Sequence, residues 1–107
     1  MSLTFEWDKS KEKENQKKHG ISFEEATTVF GDPLSLTMND PLHSDYEEWF
    51  IIIGQSYTGR TLVVVHTESG DKIRIISTRI ATKREKRTYE KGKEKIKWSG
   101  YAWGIWF

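Results

Sequence analysis

The chain has 107 residues, room for one domain with a single modest core. It holds no cysteine, which excludes disulfides, Cys-ligated metals, iron–sulfur clusters and thiol nucleophiles. It also holds no run near 18 apolar residues, which excludes a transmembrane helix. The 17 Lys and Arg nearly balance the 16 Asp and Glu, but the balance is not local: residues 21–71 carry nine acids against the single base Arg60, and residues 83–97 carry eight bases against three acids. A chain polarised in this way suits an anionic partner such as RNA, DNA or an acidic protein, although a charge run also serves simply to solvate a helix face. The N-terminus lacks the basic region and apolar run of a signal peptide, so a cytoplasmic protein is expected, and no membrane partner. A chain this small also gains burial from a partner or a homodimer.

In chain order, Leu3, Phe5 and Trp7 alternate as a short first strand. Phe5 and Trp7 are read as core side chains. Asp8 is placed as N-cap of a charged helix from Lys9 to His19, which Gly20 ends. Ser22 and Glu25 have the spacing of a capping box, and Phe23, Ala26, Val29 and Phe30 give the apolar face of a second helix. Gly31-Asp32-Pro33 ends it. The period then changes to that of a strand over Leu34, Leu36 and Met38, followed by a loop over 40–44. Residues 48–55, 61–67 and 72–78 are rich in β formers and separated by tight turns, the pattern of an antiparallel meander. Strict alternation in the last of these sets Ile73, Ile75 and Ser77 against Arg74, Ile76 and Thr78. Residues 79–81 are expected to leave the sheet. Thr82 and Glu85 form a second capping-box pair opening a basic helix from Lys83 to about Lys91. The order predicts an α+β domain over 1–97: a small antiparallel sheet, two N-terminal helices and one C-terminal helix. A strongly aromatic tail follows over 98–107.

No dinucleotide, P-loop, zinc-protease or serine-hydrolase motif is present, and no cofactor is implied. His19, His43 and His66 lack ligand-like spacing, so no metal site is expected. Cofactor-free RNA cleavage remains open to such a chain. It requires deprotonation of a 2′-OH, stabilisation of phosphorane charge and protonation of the leaving 5′-oxygen, all within reach of Arg, Lys, His and Glu. Arg74 and Arg79 flank the end of the third meander strand, on opposite faces unless the chain bends after Thr78. Arg79 also stands at a helix start, where unsatisfied amides favour an anion. Alternatively it is paired with the acidic middle segment. Lys83, Arg84, Lys86 and Arg87 follow, placed either to grip phosphates or to solvate the helix. Arg60 sits in a turn. His19 lies at a helix end, open to both carbonyl contact and general-base chemistry.

Several stretches together carry a resemblance: Phe5-Glu6-Trp7-Asp8, Lys11, Asn15, Lys18-His19-Gly20, Ser22-Phe23-Glu24-Glu25-Ala26, Val29-Phe30 and Asp32-Pro33, then His43-Ser44, Glu47-Glu48, Ile53-Gly54-Gln55-Ser56, Gly59-Arg60, Val63-Val64-Val65, Arg74 to Arg79, Ala81-Thr82, Glu85 and Tyr89-Glu90. In this order the chain resembles the BrnT toxin family over about residues 5–90. The resemblance implies a RelE-like α+β fold and a ribonuclease that stops translation. It further implies a BrnA-type antitoxin that neutralises the toxin, and contact with operator DNA only through the toxin–antitoxin complex. By matching position it also implies RNA-phosphate and transition-state roles for Arg60, Arg74 and Arg79, a recurrent Lys18, and proton transfer by His19 or Glu48. One position departs from the family: Trp49 stands where Glu-Glu-Arg is frequent. An Arg lost from an RNA contact weakens activity, whereas Trp replacing a half-buried Arg has no catalytic meaning. Two other readings stay open, a nuclease-inactive relative that retains antitoxin binding and a nucleic-acid binder without chemistry.

Overall fold

The computed structural model describes residues 3–40 and 47–97, with side chains as far as Gly92. His43 and the aromatic 98–107 segment lie outside the described residues. The chain runs β1 (Thr4–Glu6), α1 (Lys9–His19), α2 (Phe23–Thr28), a 3₁₀ turn (Val29–Gly31), β2 (Leu36–Asn39), β3 (Trp49–Gln55), β4 (Thr61–Ser69), β5 (Lys72–Ile80) and α3 (Lys83–Lys97). The strands form one sheet in the order β1-β5-β4-β3-β2. It is antiparallel except at one edge, where β1 runs parallel to β5 and pairs Thr4, Phe5 and Glu6 with Lys72, Ile73 and Arg74.

The two faces follow from strand alternation. On one, Ile52, Leu62, Val64, Ile73 and Ile75 are buried beneath Ile21, Phe23, Ala26 and Val29, with Phe5, Trp7 and Phe30 along the margin. On the other, Ile53 and Val63 are buried beneath Tyr89 of α3, with Leu34, Leu36, Ile51 and Ala81 against them. Each such side chain contributes about 1.5–3 kcal/mol when fully withdrawn from water, so the first face carries most of the stabilisation. Gly54 lets the 3₁₀ turn close onto β3: a Cβ there would lie 2.8 Å from Val29 Cγ1 and 3.0 Å from Ser35 Cβ.

The caps are those the residue types dictate. The Asp8 carboxylate accepts from the amides of Ser10 and Lys11, and Gly20 ends α1 at φ 69°, a left-handed conformation that glycine adopts without steric cost. Ser22 Oγ accepts from the Glu25 amide at 3.1 Å. The second helix is shorter than its apolar spacing suggests, because the chain tightens into the 3₁₀ turn after Thr28.

Two expectations for β5 are corrected. The strand continues to Ile80 and does not leave the sheet at 79: Arg79 pairs with Val63 and Ile80 with Leu62. Strict alternation also fails. Val65 pairs with Ser77 but His66 with Ile75, so Ile76 is an extra, bulged residue. The bulge reverses the parity. Thr78 joins Ile73 and Ile75 on the first face, while Ser77 and Arg79 join Arg74 on the face that carries α3.

Candidate nucleic-acid interface

α1 takes over the outer edge of β5 where β1 ends. Beyond Arg74, the β5 edge has no strand partner among the described residues. Instead, the Asn15 side chain meets Thr78: its Nδ2 donates to the Thr78 carbonyl at 2.9 Å, and its Oδ1 accepts from the Thr78 amide at 3.1 Å. The amide thus supplies the donor and acceptor that a neighbouring strand would otherwise supply. Around this tie lies an open cleft of about 440 Å³ lined by Lys11, Glu14, Asn15, Lys18, His19 and the 76–79 segment of β5. Its size is in the range of small-ligand sites. Lys18, His19 and Arg79, distant in sequence, are therefore brought together. Four of the lining residues, Lys11, Lys18, His19 and Arg79, are bases or imidazole against the single acid Glu14, so the cleft suits an anion.

The three arginines expected in the site, Arg60, Arg74 and Arg79, are each held by a carboxylate. Arg79 donates from Nη1 and Nη2 to both oxygens of Glu85, at 2.7 and 2.8 Å. Glu85 also accepts from the Thr82 amide, and its own amide donates to Thr82 Oγ1, so the capping box closes. Hydrogen bonding from Arg79, more than these amides, holds the Glu85 carboxyl down at about 2. Its carboxylate thus is itself the anion at the helix start that the unsatisfied amides were expected to favour. Arg74, on the same face, pairs with Glu47. The Trp49 indole N–H donates to that same Glu47 at 3.3 Å. Glu48 is bound instead by Asn39 on β2, away from the α1–β5 cleft.

Arg60 does not join them. It reaches to the other face of the sheet and pairs with the buried Glu25 of α2. Ser56 Oγ and Thr58 Oγ1 each donate to the same carboxylate at 2.7 Å. Arg60 is the main cause that holds Glu25 at about 2 despite burial. This is a tie between α2 and the β3–β4 turn. The shared site expected for Arg60 with Arg74 and Arg79 is not assembled, because α2 contributes the acid that captures it.

On α3, Lys83, Arg84 and Arg87 are exposed, while Tyr89 is turned inward and donates to Asp32 Oδ2 at 2.6 Å. Burial and Asp32 both push the Tyr89 hydroxyl up, so it stays protonated. His66 is fully buried, 4.8 Å from the Phe30 ring and 5.8 Å from Phe50, with Nε2 2.8 Å from Glu68. It is a core side chain. Among the described residues no group of His, Cys, Asp and Glu is arranged to hold a metal ion.

Sequence reasoning missed Asn15 as a docking group and Glu25, Glu47 and Glu85 as arginine partners. The signal for Asn15 was present: α1, KSKEKENQKKH, has no apolar residue, so a polar contact must dock it.

The family described as "Ribonuclease toxin, BrnT, of type II toxin-antitoxin system" matches residues 7–85. No curated protein matches. The crystal structure of the Brucella abortus ribonuclease toxin BrnT superposes with a TM-score of 0.56 at 21% identity, over 77% of this chain and all of that one. The shared architecture is the RelE-like α+β fold. The family match ends at Glu85, so α3 beyond its first turn lies outside it. With most of its length matched, the chain belongs to the BrnT family of type II toxin–antitoxin toxins.

Proposed function

We propose that the protein is a metal-independent endoribonuclease toxin of the cytoplasm, neutralised by a BrnA-type antitoxin, and that its RNA site is the α1–β5 cleft. The observation that carries this reading is the convergence of Lys18 and His19, from the end of α1, with Arg79 of β5 in one anion-suited cleft. In this account the imidazole of His19 takes the proton from the 2′-OH. Lys18 and Arg79 stabilise the charge on the phosphorane. The 5′-oxygen leaves with a proton from the imidazolium or water, and a 2′,3′-cyclic phosphate remains. Lys83, Arg84 and Arg87 extend the positive field along α3, and Arg74 extends it along β5, so that flanking phosphates are attracted. Arg60 serves stability rather than chemistry, and Glu48, outside the cleft, takes no proton in this scheme.

The second reading is a nuclease-inactive relative that keeps antitoxin binding. It is favoured by two observations: Arg60, Arg74 and Arg79 each have a carboxylate partner, and Trp49 replaces a frequent Arg beside one of those pairs. Expression in a bacterial host separates the two. An active toxin arrests growth, co-expressed antitoxin relieves the arrest, and His19→Ala abolishes it. Unimpaired growth together with tight antitoxin binding would favour the inactive relative.

A further inference from the structure

α1 is a helix without an apolar side chain, so hydrophobic burial does not dock it. Its N-terminal half is tied through Glu12, whose carboxylate accepts from the Trp7 indole at 3.2 Å and from the Phe23 amide at 3.3 Å. Among the described residues, its side-chain hydrogen bonds to the sheet come from Asn15, the one buried residue of the helix. Both bonds go to Thr78, which stands between Ser77 and Arg79 in the cleft wall. Lys11 and Lys18 lie four residues before and three after Asn15, on the same face of the helix. The amide therefore sits at the centre of the cationic stripe and fixes its distance from β5.

We propose that Asn15 is the positioning residue of the cleft, holding Lys18 and His19 against Arg79 without contacting the substrate itself. This rests on the RNA reading above. A buried amide held by two opposed backbone groups admits one orientation, because donor and acceptor cannot be exchanged without facing like against like. Loss of the amide lets the C-terminal half of α1 separate from β5, and the basic side chains then act as unconnected surface charges.

The test is a double-mutant cycle. Parent, Asn15→Ala, Lys18→Ala and the double variant are titrated with a fluorescein-labelled single-stranded 2′-O-methyl oligoribonucleotide, which binds but does not react. Asn15→Ala is expected to weaken binding roughly tenfold, and Lys18→Ala by a similar factor. The double variant is expected to bind no worse than Asn15→Ala alone, because Lys18 is already misplaced. Amide exchange supplies the local readout: the Thr78 N–H exchanges faster in Asn15→Ala while the β4 core amides do not. Binding losses that multiply in the double variant, or unchanged affinity in Asn15→Ala, would overturn the positioning role alone. A parent that does not bind the oligonucleotide overturns the RNA reading and this inference with it. If Asn15→Ala does not fold, Asn15→Ser carries the same cycle.

Discussion

Arg79 and Glu85 share two parallel hydrogen bonds that join the end of β5 to the first turn of α3, while Arg79 also lines the cleft against α1. One arginine thus connects a packing contact with the candidate RNA site. Glu85→Gln weakens the pair and its helix cap. The expected result is a loss of about 1–2 kcal/mol in stability, because charge-assisted bonds are replaced by neutral ones. RNA affinity is expected to rise at the same time, since Arg79 is released from a competing carboxylate. Chemical denaturation and oligonucleotide titration measure the two effects. A fall in both would mean that Glu85 orients Arg79 for RNA rather than competing for it.

The acid sensitivity of the fold follows from Glu25. Its carboxyl titrates at about 2 in the folded chain, against 4.5 when unperturbed, chiefly through Arg60. A lowered folded value contributes stability that is fully present above 4.5 and is lost as pH falls towards 2. Glu85 adds a contribution over the same window. Arg60→Ala is expected to cost about 2 kcal/mol at pH 7, below the value for a fully buried pair because Arg60 is partly exposed. The gap between the two proteins should narrow progressively as pH falls from 4.5 towards 2. Melting temperatures that stay equally far apart from pH 7 to pH 3 would show that the pair is not the source.

Trp49 stands across β4 from Arg74, paired with Thr67, and shares Glu47 with it. In Trp49→Arg, two guanidinium groups divide one carboxylate. The exposed Arg74–Glu47 pair contributes only about 0–1 kcal/mol, so stability changes mainly through lost indole packing. RNA binding is expected to tighten, with a salt slope steeper by about 0.7 for one added phosphate contact on a single strand. An unchanged slope would place this end of the sheet outside the RNA path.

His66, whose spacing to the other histidines suggested no metal site, is packed between Phe30 and Phe50, and its Nδ1 has no hydrogen-bond partner among the described residues. His66→Leu removes a buried polar atom and leaves Glu68 to solvent. Stability within about 1 kcal/mol of the parent, or above it, is expected, with RNA cleavage unchanged. Loss of cleavage in a folded His66→Leu protein would contradict its assignment to the core.

The elements were legible because their signals are local. Asp8, Ser22, Thr82 and Gly20 mark helix ends through their own side-chain or backbone chemistry, and the β-branched run Thr61–Thr67 identifies a central strand. What was not legible is pairwise and long-range. The bulge at Ile76 depends on how β5 meets β4, and it alone brings Arg74 and Arg79 to one face. The parallel pairing of β1 depends on α1 and α2 crossing over. Arg60 could not be separated from the other two arginines, because the acid that captures it is 35 residues away. The cleft was half visible: Lys18, His19 and Arg79 were singled out, but nothing local in the sequence says that Asn15 joins their two elements.

The central claim is cleavage of RNA in the α1–β5 cleft without a metal. The direct measurement is incubation of the purified protein with total RNA in EDTA, beside His19→Ala and Lys18→Ala/Arg79→Ala prepared identically. The account predicts fragments ending in 2′,3′-cyclic phosphate from the parent and intact RNA from both variants. Equal cleavage by all three proteins, or RNA left intact by the parent, would contradict it.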